Sequence, residues 1–311
     1  MERFTKLKAF CDEIGCVCLE HEPMAVHTSF RIGGPVRLFL RPRDEREASQ
    51  VIHQASSLQI PLVYVGKGSN LLVSDDALEL AVLCLREDHV QPVLTQMPEE
   101  PSKALITCFA GMGLRALCTF ALHHRLTGLE FAYGIPGSVG GAVYMNAGAY
   151  GGEMREIVRS VEYLDAQGEL HTIDTTELNF SYRHSWFCEH PDCLITAVTI
   201  CLSTGEPQAI HAKMEELMGR RVSKQPLDYP SAGSTFKRPQ GAYASALIDQ
   251  CGLKGLRVGG AMVSEKHAGF LINYDHATCA DVQQLIQQVQ QRVQQQTGFS
   301  LECEVRRLGI G

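Results

Sequence analysis

The stretch "IPGSVGGAVYMNAGAYGGE", residues 135 to 153, holds six glycines and three alanines in nineteen residues. Glycine inside a regular element costs roughly 0.5–1 kcal/mol relative to alanine, so a run this rich needs a backbone reason. Its apolar residues follow neither the helical nor the strand period, which predicts an irregular segment. Either the chain turns sharply several times, as in a glycine-rich hairpin that packs two domains together, or the bare backbone lies against something large and flat. In the second case Ser138 and Asn146 would supply hydrogen bonds.

Around this run the 311 residues divide into two unlike halves. Upstream, "SFRIGGPVRLFLRP" reads as extended chain. Asp44-Glu-Arg-Glu47 then looks like a capping box before a helix with apolar Ala48, Val51, Ile52, Ala55 and Leu58. "IPLVYVG", "ELAVLCL" and "ALITCFAGM" predict strands and "LRALCTFALHHRL" a helix; "IVRSVEYLD", "ELHTID" and "LITAVTICLS" predict further strands. Thr204-Gly-Glu-Pro207 reads as a linker, after which helices dominate: "AIHAKMEELMGRRV", "AYASALIDQCG" and a Gln-rich segment. That segment keeps Val282, Leu285, Ile286, Val289 and Val293 on one face, which marks an amphipathic helix. "LECEVRRL" predicts a closing strand.

Composition excludes several classes. The net charge of −7 opposes a nucleic-acid surface, since phosphate backbones are held by clustered Lys and Arg. No stretch approaches the ~18 apolar residues of a spanning helix, and "MERFTKLKAFCDEIG" is not a signal-peptide core. A cytoplasmic chain is expected. Twelve cysteines include Cys16-Val-Cys18 but no C-x-x-C, and most sit singly in apolar segments. They read as reduced thiols behaving as small hydrophobes, with no metal site.

A strand running into "VGKGSNLLVSDD" offers consecutive backbone N–H groups and a hydroxyl, the parts of an anion-binding nest or of a tight hairpin. A P-loop needs Gly at 61 and Ser or Thr at 68, where Pro61 and Gly68 stand; a dinucleotide fingerprint needs Gly at 71, where Leu71 stands. No nucleophile elbow is present.

Seven motifs in order, "FRIGGPV", "VGKGSNLLVSD", "GLEFAYGIPGSVGGAVYMNAGAYGGE", "SYRHSWF", "AGSTFKRP", "GLKGLRVGGAMVSEKHAGFLIN" and "LECEVRRLG", closely resemble the UDP-N-acetylenolpyruvoylglucosamine reductase family from about residue 20 to the C-terminus. The resemblance implies an α+β chain: an N-terminal helical segment over 1–19, a vanillyl-alcohol-oxidase/PCMH-like FAD-binding domain over 20–204, and a smaller α/β substrate-binding domain over 205–311. It also implies a reaction. NADPH reduces non-covalently bound FAD, whose N5 passes hydride to C3 of the enolpyruvyl group of UDP-N-acetylglucosamine-enolpyruvate. Protonation at C2 completes UDP-N-acetylmuramate, a peptidoglycan precursor.

Carried over by motif, Ser234 of "AGSTF" is the proton donor to C2, while Arg183 of "SYRHS" and Glu304 of "ECEVR" bracket the substrate carboxylate and stabilise the enolate. Arginine's planar fork matches a carboxylate, and Glu304 needs a raised pKa to donate. Gly66, Gly68, Ser69 and Asn70 are expected at the FAD pyrophosphate, with Gly134, Ile135, Pro136, Ser138, Gly141 and Asn146 at the flavin and its remaining phosphates. Lys224, Lys237 and Arg238 form the anion-friendly cluster for the substrate's nucleotide part. No metal and no membrane insertion are expected.

Three residues depart from the family pattern: His27 for the usual Asn, Lys67 for Gly and Cys303 for Pro, which bears on cofactor affinity. The short stretch from Arg183 to Lys224 places the chain in the branch that lacks the insertion carrying a capping tyrosine. Alternatives are an FAD-dependent oxidase of the same cofactor fold and an inactive flavin-binding paralogue. The second would be expected to have lost Arg183, Ser234 or Glu304, and all three are present.

Overall fold

The computed structural model describes residues 2–86 and 91–310. By compactness the chain forms two units. The first comprises Met1–Glu20, Leu38–Lys67 and Glu79–Arg220; the second comprises His21–Arg37, Gly68–Leu78 and Arg221–Gly311. A single cut at residue 204 does not reproduce this division, because two early segments supply core to the second unit: Phe30, Ile32 and Leu72 are buried with Val282, Leu285 and Ile286.

The first unit contains helix α1 (Glu2–Ile14), α2 (Glu45–Ser57), α3 (Leu114–His123), α4 (Val139–Tyr144) and most of α5 (Pro207–Lys224). The N-terminal helix is no separate segment, since Phe4, Leu7 and Cys11 join the same core as Val51, Ile106 and Val161. At the start of α2 the Asp44 carboxylate accepts the Glu47 N–H at 2.8 Å. The expected reciprocal bond shifts by one residue: the Glu47 carboxylate takes the N–H of Arg43, not of Asp44, at 2.7 Å. A four-stranded sheet has the order Val17–Pro23, Pro35–Arg41, Leu78–Leu83, Leu62–Tyr64, its last two strands parallel. An antiparallel sheet is built on the long strand Leu194–Thr204, flanked by Val158–Leu164 and Lys103–Phe109. The segment after Thr204 is not a linker. Only two residues separate that strand from α5, Thr204 and Gly205 are bonded to Ser102 and Arg125, and Pro207 opens the helix, where its missing N–H costs nothing.

In the second unit, strands Ser231–Ser234, Phe270–Asn273, Ala261–Val263 and Arg257–Val258 form an antiparallel sheet in that order. Helices α6 (Ala244–Gln250) and α7 (Cys279–Thr297) share a core with it. Helix α7 is the Gln-rich segment, and its five predicted apolar residues are at most 1 % exposed; each contributes about 1.5–3 kcal/mol by burial. Thr278 and Asp281 exchange side-chain bonds in a capping box, and Gly298 ends the helix at φ +77°. The closing strand is shorter than expected. Arg306–Leu308 pairs in parallel with Leu71–Val73, while the chain before it is joined to Phe236 by an isolated bridge at Cys303.

Candidate active site

In the second unit, strand Ser231–Ser234 pairs with Phe270–Asn273 through Ser231 with Ile272 and Ser234 with Phe270, and a bulge interrupts the register between them. Gly233, at φ +75°, lies in that irregular stretch. Thr235 follows, 3 % exposed. Its hydroxyl accepts the Leu271 N–H at 3.2 Å, and its carbonyl accepts the Glu304 N–H at 2.8 Å. Ser234 and Glu304, both half-buried, therefore sit on adjacent segments.

The glycine-rich loop joins the same construction. The Ser29 N–H donates to the Gly68 carbonyl at 3.2 Å, and Ser29 also bonds to Ser231 twice, hydroxyl to carbonyl at 2.6 Å and carbonyl from N–H at 3.1 Å. Among the described residues, the backbone N–H groups of Gly68, Ser69 and Asn70 and the Ser69 hydroxyl have no protein acceptor. Three consecutive donors and a hydroxyl are the chemistry of a phosphate cradle, so this loop fits the pyrophosphate of FAD. Glycine at 68 has its own cause: a Cβ there would lie 2.1 Å from the His27 carbonyl oxygen, and φ is +58°. His27, the departure from the family Asn, bonds Glu22 at 2.8 Å.

The glycine run in the first unit hides a helix. Ser138 caps α4, its hydroxyl accepting the Gly141 N–H at 3.3 Å, while the N–H groups of Val139 and Gly140 go to the carbonyls of Met112 and Ala110. Helix α4 thus has its first turn satisfied by protein. Gly66 is required by the cap itself, because a Cβ there would stand 2.4 Å from the Ser138 hydroxyl. Asn146 is fully buried; its amide donates to Glu153 at 3.0 Å and to the Ser181 carbonyl at 2.9 Å, and its oxygen accepts the Arg155 N–H at 3.0 Å. Its hydrogen-bonding capacity serves the protein. Gly134, Ile135 and Pro136 keep accessible surface on the same run.

Asn146 also fixes the turn that carries Arg183. Ser181 and His184 exchange both backbone bonds, Arg183 takes φ +57°, and its guanidinium donates to the Gly148 carbonyl at 3.2 Å and lies 5.0 Å from the Tyr182 ring centre. A non-glycine residue at positive φ is uncommon and concentrates at functional sites. Ser185 bonds the Tyr144 carbonyl at 2.8 Å, so the "SYRHS" motif is stitched to the end of α4.

A model of the FAD binding domain matches residues 36–174, and one of the UDP-N-acetylenolpyruvoylglucosamine reductase C-terminal domain matches 225–308. The UDP-N-acetylenolpyruvoylglucosamine reductase of Lachnoclostridium phytofermentans is 47% identical over 93% of this chain and 92% of its own length. That of Levilactobacillus brevis is 43% identical over 94% and 93%. The chain belongs to the UDP-N-acetylenolpyruvoylglucosamine reductase family. It is an FAD-dependent oxidoreductase of α+β architecture. The crystal structure of the family's enzyme from Thermus caldophilus superposes with a TM-score of 0.76 at 32% identity, covering 94% of this chain and 98% of that one.

The three basic residues expected at the reductase's nucleotide-binding end have different surroundings. Lys237 is held by Glu302 at 2.5 Å, and Arg238 stacks 4.3 Å over the Tyr243 ring. Lys224 faces His267 together with Lys254, and burial first, then these two ammonium groups, hold the His267 imidazole below its ordinary 6.5. Lys266 caps the end of α5 through the Val222 carbonyl at 2.7 Å. Sequence reasoning passed over Ser29 and Lys254, although both lie in or beside quoted motifs; only pairing across the chain shows their use. Among the described residues no group of His, Cys, Asp or Glu could hold a metal ion, and no helix is long and apolar enough to cross a membrane.

Proposed function

We propose that this chain reduces the enolpyruvyl ether of UDP-N-acetylglucosamine-enolpyruvate to the lactyl ether of UDP-N-acetylmuramate, with NADPH as reductant, Ser234 as proton donor, and Arg183 and Glu304 as enolate stabilisers. It does so in the cytoplasm, as a step of peptidoglycan precursor synthesis. The observation that supports this best is the bond from the Glu304 N–H to the Thr235 carbonyl, which sets Glu304 beside the segment that presents Ser234.

When bound, FAD would supply the hydride chemistry at C3 of the enolpyruvyl group, with NADPH as its reductant. Negative charge then falls on C2 and its carboxylate. Ser234 gives its hydroxyl proton to C2: serine is a feeble acid, but an enolate carbon is basic enough to take the proton when the oxygen is held in reach. The bulged strand supplies that hold. Protonated Glu304 donates to the enolate oxygens, and Arg183 offers a planar fork whose charge persists at any working pH. The turn at Ser181–His184 keeps the guanidinium from wandering. Gly68, Ser69 and Asn70 hold the pyrophosphate through N–H groups, Gly134, Ile135 and Pro136 line the flavin, and Lys224 meets the nucleotide phosphates. Ser138, Gly66, Gly141 and Asn146 hold the shape of the glycine run that carries Gly134, Ile135 and Pro136.

Steady-state turnover with NADPH and the enolpyruvyl nucleotide sugar tests the proposal. Oxygen consumption that needs no nucleotide sugar would mark an oxidase, and released FAD without turnover an inactive paralogue.

A further inference from the structure

Arg183 is held at two points, and both lead to Glu153. Its guanidinium donates to the Gly148 carbonyl at 3.2 Å, and Gly148 is the partner of Glu153 in the short hairpin of Gly148–Ala149 with Gly152–Glu153. The pair is so close that a Cβ on Gly148 would stand 2.7 Å from the Cβ of Glu153. The second point is the turn itself. There Ser181 and His184 exchange backbone bonds, and the Ser181 carbonyl also accepts from the Asn146 amide at 2.9 Å.

The Asn146 amide is gripped in turn from two sides. It donates to the Glu153 carboxylate at 3.0 Å, and its oxygen takes the Arg155 N–H at 3.0 Å. Turning the amide over would set its oxygen against the carboxylate and its NH2 against the N–H, so one orientation alone satisfies the site. Asn146 is inaccessible to solvent, so water does not stand in for a lost partner. The Arg155 guanidinium pairs with the Glu153 carboxylate, but its side chain is 54% exposed, and a pair so open to water contributes little. What Glu153 gives the fold is therefore the buried bond to Asn146. That bond bears on Arg183 because a non-glycine residue at φ +57° stays there only where its surroundings over-determine it.

We propose that Glu153 is a positioning residue of the reductase: its carboxylate orients the Asn146 amide, and the amide fixes the Ser181–His184 turn that presents Arg183. Glu153 acts through Arg183, so its part in the reaction rests on Arg183 being an enolate stabiliser. Its hold on the turn does not.

The test follows both half-reactions of the FAD-loaded protein by stopped-flow absorbance, with amide hydrogen exchange over residues 181–184. In Glu153→Ala, reoxidation by the enolpyruvyl nucleotide sugar is expected to slow roughly ten- to hundredfold, the scale of a misplaced reacting group, while NADPH bleaches the flavin at the parent rate. Exchange at Ser181 and His184 is expected to quicken about fivefold or more, as a buried donor loses its partner. Glu153→Gln keeps an oxygen for the amide and gives up only the exposed ion pair, so it is expected to stay within about threefold of the parent. Glu153→Asp keeps the charge but withdraws it by one methylene, and both reoxidation and exchange are expected to move in the direction of Glu153→Ala. It is the deciding variant if Glu153→Ala does not bind FAD. In an Arg183→Gln background, Glu153→Ala is expected to slow reoxidation by less than about twofold, because the two residues act as one unit.

Unchanged exchange over 181–184, equal losses in the two half-reactions, Glu153→Gln as slow as Glu153→Ala, or full additivity with Arg183→Gln each overturns the assignment. A failed reading of Arg183 has a different signature: Arg183→Gln reoxidises at the parent rate although exchange quickens in Glu153→Ala, which overturns the catalytic consequence and upholds the hold on the turn.

Discussion

Asn70 holds Glu304 through its side chain: the Asn70 amide donates to the Glu304 carbonyl at 3.2 Å, while the Asn70 carbonyl accepts the Arg306 N–H at 3.0 Å. Together with the Glu304 N–H bonded to Thr235, this fixes the backbone on both sides of the carboxyl group. A residue of the loop proposed to hold phosphate thus also fixes the backbone that carries Glu304. Removing the amide in Asn70→Ala should cost one net hydrogen bond, about 0.5–1.5 kcal/mol. If that loss falls on Glu304, reoxidation of reduced FAD by the enolpyruvyl substrate should slow by roughly two- to tenfold, with NADPH-driven flavin bleaching little changed. Rapid-mixing absorbance follows both halves. Equal losses in the two would place the residue with the cofactor alone.

Two glycines at similar φ separate backbone conformation from crowding. Gly68 and Gly233 sit at φ +58° and +75°, but a Cβ at 68 would strike the His27 carbonyl oxygen at 2.1 Å, whereas nothing lies within 4 Å of one at 233. Gly233→Ala should cost only the left-handed penalty, about 1–2 kcal/mol. Gly68→Ala should cost distinctly more, because loop and His27–Thr28 must part. Thermal melts of both apoproteins decide this. Equal destabilisation would mean that the loop yields freely, and that glycine at 68 serves only the ligand.

Local chemistry was legible in the sequence wherever a pattern was long or a cap was strong. Val282 to Val293 announced α7 because a full helical period repeats, and Asp44 announced α2. The six-residue α4 was not legible: its period is masked by Gly140 and Gly141, and Ser138 reads as a cap only once the Gly141 N–H is seen to meet it. The second unit's sheet was missed because its strands span two to four residues, too short for alternation to show. Residues Phe30 and Leu72 could not be assigned to that unit from the sequence, since their partners in α7 lie far along the chain. The same non-locality hid the bond between Asn70 and Glu304. Motif resemblance supplied the candidate reacting groups, and geometry shows that Ser138 and Asn146 spend their side chains on the protein.

His267 gives the second unit a pH dependence. Its Nδ1 accepts the Gly269 N–H at 3.2 Å, which leaves the ring neutral, and burial with Lys254 and Lys224 disfavours its charged form. The folded state therefore takes up this proton at lower pH than the unfolded chain. The associated stability is complete above 6.5, the ordinary value, and is lost as pH falls from there toward the depressed folded value. Melting temperature should decline over that window more steeply in the wild type than in His267→Asn, which lacks the titrating ring. Parallel slopes would assign the acid sensitivity to other groups.

Ser234→Ala isolates proton delivery from hydride supply. The strand ending at Ser234 is held by Ser29, Thr235 and its pairing with Phe270, none of which uses the Ser234 hydroxyl, so the variant should fold and bind FAD as the parent does. NADPH-driven flavin reduction should keep its rate, because no carbon is protonated in that half. Reoxidation by the enolpyruvyl nucleotide sugar should slow by about 10²–10⁴, the range of general-acid contributions, which corresponds to a barrier increase of roughly 3–5 kcal/mol. Stopped-flow absorbance at the flavin band reads each half separately. Unimpaired reoxidation with normal product would mean that water or another group protonates C2, and that Ser234 serves only to end the strand.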